Sequence, residues 1–336
     1  MSVNLSFSCS RYDRVAPLVN GDVHIEGVDL TYLPLEPEEG FWRHTQHAEF
    51  DLCEMSLSGH MMRVARGDDR FVGLPIFTSR VFRHHNIVIR RKLGSIAPQE
   101  LVGKTLAVPE YHMTAALFMK GMLDDEYGVR ASDVNWVQAG QFRKGRVERE
   151  ELHLPDEISL RVERDKTIEE MLDSGEIDGA ATPYTPRRLL DPDGPVRRLF
   201  EDPQAAERDY YARTGIFPIM HLVVLRRSIY ERHPWLARSL VKGFEEAKRV
   251  CFDGLPGVGG HLAVSLPFFR YHLEDTYKDF GRDWWPYGVS ENRATLEAAT
   301  RYSYAQGLSG RKLATEELSV EGALDETTSE SESRDR

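Results

Sequence analysis

The chain has 336 residues, 41% of them hydrophobic and 29% charged, with a formal net charge of −11. That length suggests two domains with a sizeable core, and the negative balance argues against nucleic acid, whose phosphates call for a basic surface. No apolar run approaches the ~18 residues of a membrane span, and no basic segment followed by an apolar one opens the chain, so a cytoplasmic protein is expected.

In chain order, Leu5–Cys9 and Val28–Tyr32 read as strands, Phe41–Ala48 as a helix, Asp51–Met55 as a strand running into a helix, and Phe71–Phe77 as a third apolar strand. Such alternation points to a layered α/β domain. The pattern restarts at Asn86–Arg90, with strand Thr105–Val108, helix Ala115–Glu126, strand Val134–Gln138, helix Thr167–Ser174 and strand Ile177–Ala181. Arg143–Leu154 is highly charged and ends at Pro155, which suggests a surface excursion. The stretch 182–213 reads as irregular, Phe217–Leu225 as a long apolar strand, and Ser228–Val250 and Glu291–Gln306 as helical. Chain crossovers near 80–90 and 210–220 then divide the chain into lobe 1 (1–85 and 215–313) and lobe 2 (86–214). A cleft lies between them, with strand ends and helix N-termini facing it. Residues 315–336 carry eight acidic and two basic side chains, so 314–336 is expected to be a disordered acidic tail. Cys9, Cys53 and Cys251 show neither metal-ligand spacing nor a disulfide framework and read as small hydrophobes.

The segment 101–123 carries the most chemistry. Strand Thr105–Val108 runs into Pro109 and then into Glu110, Tyr111 and His112, with Thr114 at a helix N-cap position. Unpaired backbone N–H groups and the helix dipole make such a junction a receptor for a carboxylate. The competing reading is a plain connection whose polar residues only cap.

Several runs together carry a family pattern. They are Tyr12-Asp13-Arg14, Glu26–Leu30, Phe50-Asp51 with Glu54–Ser58, Ser79–His84, Val108–Tyr111 with Met113–Ala115, Gly175–Asp178, Thr214–His221, Trp285–Gly288 and Gln306–Ser309. In order and spacing, across roughly residues 5–313, they resemble the 4,5-dihydroxyphthalate decarboxylase family. The resemblance implies a two-lobed type II periplasmic-binding-protein-like fold. It also implies removal of one carboxylate from a dihydroxylated phthalate to give 3,4-dihydroxybenzoate. His112 departs from the pattern, which has a neutral polar residue such as Gln there.

Aromatic decarboxylation by ring protonation needs groups that hold the retained carboxylate, a base for the phenol and an acid aimed at the ring carbon. Expected anion holders are Arg14, Arg80 and Arg83, with Ser56, Ser58 and Thr114 as hydrogen-bonding partners and Tyr12, Tyr111 and His84 lining the substrate. The expected acid/base groups are His221 and His112, with Glu110 setting orientation and charge. No organic cofactor is expected, and no metal ligand is assigned, although a divalent metal stays open because Glu54, His60, His112 and His221 could converge through the fold. The expected partner is a small aromatic carboxylate, with no nucleic acid and no membrane; a homo-oligomer stays open. The alternative is a cytoplasmic solute-binding-like protein that captures an anionic small molecule without chemistry.

Overall fold

The computed structural model describes residues 2–191, 193–261 and 264–320, so the acidic tail beyond 320 lies outside the described residues. Lobe 1 opens with β1 (Val3–Cys9), α1 (Ala16–Asn20), β2 (Val28–Pro34), α2 (Pro37–His47), β3 (Leu52–Ser56), α3 (Leu57–Arg66) and β4 (Phe71–Arg80). Local chemistry sets several of these ends. Pro37 opens α2 with Glu38 and Glu39 in its first turn. Ser56 caps α3 by accepting from Gly59 N, and Gly67 ends that helix at φ 76°.

Lobe 2 follows with β5 (Ile87–Arg90), β6 (Thr105–Val108), α4 (Thr114–Tyr127), β7 (Asn135–Gln138), β8 (Leu160–Val162), α5 (Ile168–Ser174), β9 (Gly179–Ala181), β10 (Val196–Arg198) and α6 (Pro203–Thr214). The chain then returns through β11 (Ile219–Arg226) to α7 (Arg227–Arg232), α8 (Leu236–His261), α9 (Phe269–Phe280) and α10 (Arg293–Ala305). The two sheets run β2-β1-β3-β11-β4 and β10-β5-β9-β6-β7-β8. The return strand β11 therefore completes the first sheet, antiparallel to both β3 and β4.

The short strands β8 and β10 and helix α6 occupy stretches that sequence pattern left irregular, because three-residue strands and a strongly polar helix give little hydrophobic periodicity. Helix α10 packs against both α3 and α4, and its Arg301 pairs with Asp125 of α4 at 2.7 Å, so this C-terminal helix buttresses both lobes.

The topology places chemistry at one edge of each sheet. In the first, β1 and β3 are parallel and end at Cys9 and Ser56, beside the start of antiparallel β11, where His221 pairs with Ser56. In the second, β6, β7 and β9 are parallel, and their carboxyl ends lead to Glu110, Gln141 and Tyr184. Crevices outside the carboxyl ends of such strands are the usual ligand sites of open α/β sheets.

Candidate active site

The lobe 1 half of the site is built on β3 and β11. Glu54 on β3 is 2% exposed, yet both its carboxylate oxygens are engaged. Oε1 accepts from Tyr12 Oη at 2.7 Å, Thr78 Oγ1 at 3.0 Å and His221 Nδ1 at 2.7 Å; Oε2 accepts from Ser10 N at 3.1 Å. Burial alone would raise its pKa, but the His221 charge and these donors outweigh it and hold Glu54 down to about 2. Glu54 is thus an ionised group that fixes the His221 tautomer, leaving Nε2 free. The β4–β11 register slips on both sides of His221, where β4 contains Pro75 and cannot keep an unbroken ladder. The irregularity singles His221 out in an otherwise apolar strand: its side chain is 18% exposed, and the ring sits edge-on to Phe41 of α2 at 4.9 Å.

The lobe 2 half forms around the loop between β6 and α4. Glu110 is 1% exposed and engaged by Arg146, whose Nη2 lies 2.6 Å from Oε1. His112 Nδ1 lies 2.9 Å from Glu148 Oε2 and 3.6 Å from Glu110 Oε2. Glu148 Oε1 also accepts from the backbone N–H groups of Tyr111 and His112. Burial would lower the His112 pKa, but Glu148, Glu110 and Glu150 together raise it, so this imidazole favours its charged form. Nε2 of His112 makes no hydrogen bond among the described residues.

The charged segment 143–154 is where sequence reading and structure part most. Rather than looping out into solvent, it lies as a strap across both lobes. Arg146 and Arg149 meet Glu38 of α2 at 2.8 and 3.0 Å, and Tyr184 Oη also donates to Glu38. On the other side Glu150 meets Arg63 of α3 at 2.7 Å. The halves also touch where Thr114 Oγ1 lies 2.9 Å from Ser56 Oγ and accepts from Ser58 N at 3.1 Å. Thr114 therefore does not cap its own helix; it caps α3 across the interface.

Several expected site residues stand elsewhere. Arg80 is buried and spends its guanidinium on Phe217 O, Pro286 O and Asn292 Oδ1, so it braces lobe 1 rather than holding a ligand. Arg14 is stacked on Trp285, 4.0 Å from the ring centroid, and bonds to Asp13 and Thr78 O. Tyr111 is fully buried against Trp136 and under Lys120. His84 is wedged between Phe200 and Tyr210, where burial lowers its pKa to about 4. The Ser58 hydroxyl is buried without a partner. Of the three expected arginines, Arg83 alone bonds to no acid and no backbone carbonyl among the described residues: Nε meets Met220 Sδ and Nη1 donates to the side-chain amide oxygen of Asn86 at 2.9 Å. Glu110 is not the hydrogen-bond partner of His112; Glu148 is. His60, a further convergence candidate, is turned away onto Leu318 O.

Sequence reading missed Glu148, Arg146, Glu38 and Gln141, and weighed Glu54 only as a metal ligand. The buried amide of Gln141 has no partner for either polar atom. Its place just beyond a strand end was the one available signal, since charges inside a polar loop look alike until the loop is folded. Glu110, His112 and Glu148 place one ligand atom each within 4.8 Å of one another. Arg146 engages Oε1 of Glu110, and the His112 Nδ1 that faces Oε2 is already hydrogen-bonded to Glu148.

No protein-family model matches the chain. Over 317 residues it is 39% identical to a 4,5-dihydroxyphthalate decarboxylase of Comamonas testosteroni, covering 94% of this chain and 96% of that protein. It is 40% identical over 210 residues to a protein of the same name from Pseudomonas putida, covering 62% of this chain and 81% of the relative. Among solved structures, the aliphatic sulphonate binding protein SsuA from Escherichia coli superposes with a TM-score of 0.52 at 11% identity, covering 94% of this chain and 91% of that one. The desulfurization enzyme DSZB gives 0.51 at 13%, covering 95% and 97%. These structural neighbours show that the fold is of the periplasmic-binding-protein kind.

Proposed function

The chain belongs to the 4,5-dihydroxyphthalate decarboxylase family, and from that premise we propose that it releases one carboxylate of 4,5-dihydroxyphthalate as carbon dioxide through proton transfer by His221. The supporting observation is the Glu54–His221 pair at 2.7 Å, an ionised carboxylate behind an imidazole whose other nitrogen is free. The imidazolium Nε2–H protonates the ring carbon that bears the departing carboxylate. The para hydroxyl releases electron density as it becomes keto-like. The C–C bond then breaks, carbon dioxide leaves, and the bonding pair restores the aromatic ring, giving 3,4-dihydroxybenzoate. One proton is consumed per turnover, and His221 regains it from solvent.

Ring-carbon protonation near neutral pH suits a histidine, and Glu54 holds the His221 ring through Nδ1. Arg83, hydrogen-bonded only to neutral atoms among the described residues, balances the second negative charge of the dianionic substrate, and the unspent amide of Gln141 receives a ring hydroxyl. No organic cofactor or metal is required for these steps.

The test is carbon dioxide release from 4,5-dihydroxyphthalate, with and without chelator, for the wild type and His221→Asn. Release by the wild type that survives chelation and is lost in the variant supports the reading. Tight binding with no release would return the solute-capturing alternative, and loss on chelation would put a metal-bound water in place of His221.

A further inference from the structure

The reading above leaves one charged device unused. His112 is buried, its Nδ1 is taken by Glu148, and its Nε2 has no acceptor among the described residues. Two residues further on, α4 begins, and the backbone N–H groups of Thr114, Ala115 and Ala116 have no acceptor among the described residues. An imidazole N–H and a helix N-terminus with unspent donors converge on one kind of ligand, an anionic oxygen.

We propose that His112 holds the carboxylate that the product retains, and that Glu148 is the positioning residue that keeps the His112 ring oriented and charged for that role. The inference rests on the decarboxylase reading for the identity of the ligand, but not on His221 as proton donor.

Glu148 is suited to this by its attachments. One oxygen accepts from the His112 ring and the other from the backbone of Tyr111 and His112, so ring and loop are fixed by the same carboxylate. The remaining charges around His112 are Glu110 at 3.6 Å and Glu150, both acidic, while Arg146 and Arg149 reach Glu110 and the Lys120 ammonium caps Tyr111 O. Glu110 is already neutralised by Arg146 and Glu150 by Arg63, which leaves Glu148 as the acid that balances His112. Glu148 arrives on the strap, whose neighbours Arg146, Arg149 and Glu150 are clasped to α2 and α3 of the other lobe. The setting of His112 thereby depends on ion pairs with the other lobe.

The experiment uses the intact protein and two probes that need no turnover, 3,4-dihydroxybenzoate and catechol, which differ by the carboxylate. For His112→Gln, affinity for 3,4-dihydroxybenzoate is expected to fall about 10-fold, because a charge-assisted hydrogen bond is roughly twice as strong as a neutral one, while affinity for catechol holds. Equal losses for both probes, or none for either, would overturn the assignment. For Glu148→Gln, the His112 titration followed by NMR is expected to move down by about one pH unit or more, with the rise in Kd for 3,4-dihydroxybenzoate moving down by the same amount. Glu148→Asp should recover part of that shift. An unmoved titration overturns the role of Glu148 even if the variant is less stable. Carbon dioxide release enters none of these readouts, so a failure of the decarboxylase reading would show separately.

Discussion

His221 and His112 are each backed by a carboxylate, and they are held in opposite ways. His221 and Glu54 sit on neighbouring strands of one sheet, fixed by backbone register and by the slip in the β4–β11 ladder. His112 and Glu148 lie 36 residues apart on a loop and a strap, and depend on ion pairs from another lobe. The first pair is preorganised before any ligand arrives, as a proton-transfer group should be. The second is held by a strap tied to the other lobe, as a group that grips the substrate can be. The difference teaches that similar local chemistry can serve reaction or capture according to what holds it.

The largest expected effect breaks the sheet-borne pair. His221→Asn should slow kcat by ~100- to 10,000-fold while the affinity for 3,4-dihydroxybenzoate stays near that of the wild type. A drop in affinity with kcat preserved would reverse the roles assigned to the two histidines.

Next is Arg80, which sequence reading put in the site and the structure puts in the frame. Arg80→Ala should cost about 2–3 kcal/mol in denaturant unfolding, since it removes a buried charged donor and leaves Asn292 Oδ1 without one. The folded fraction should bind as the wild type does. Arg83→Ala should do the reverse, weakening substrate binding by about 10-fold with stability little changed.

Acid separates His112 from the histidines that lack a carboxylate. Burial lowers the pKa of His44 to about 3 and those of His60 and His84 to about 4, against 6.5 unfolded. Below 6.5 the unfolded chain binds protons that these folded groups refuse, so their stabilisation is present above that value and is lost as pH falls toward 4. His112 has the opposite sign: raised in the fold, it stabilises fully below 6.5 and loses that contribution as pH rises through its folded value. Melting curves between pH 7 and 4 should show net destabilisation with a slope of about 1 kcal/mol per pH unit from each of these three histidines, and His84→Phe should flatten it.

The smallest effect sharpens the clasp. Glu38 is half-exposed, so Glu38→Gln should change stability by about 1 kcal/mol or less. It should nonetheless lower the NMR titration of His112 by loosening the strap. A strap that is only decorative would leave that titration where it was.

What sequence reading grasped was local. Strand Thr105–Val108 has the bounds expected of it, α4 extends the expected helix by one residue at each end, and the alternation restarting near residue 86 matches the change of sheet between β4 and β5. These follow from hydrophobic periodicity and turn residues, which act over a few positions. His221 and His112 were picked out because polar residues in or just after apolar strands are locally conspicuous, and Tyr12 through the resemblance carried by Tyr12-Asp13-Arg14. Their partners were not legible. Glu54 looked like any acid in a strand, Glu148 like any charge in a polar loop, and Arg80 like a better anion holder than Arg83. Only the tertiary structure decided among them, because whether a charge is spent on the protein or left for a ligand depends on what lies across the fold from it. Arg80 meets carbonyls and an amide from segments more than 130 residues away, whereas Glu148 reaches an imidazole only because its strap is tied down at both sides.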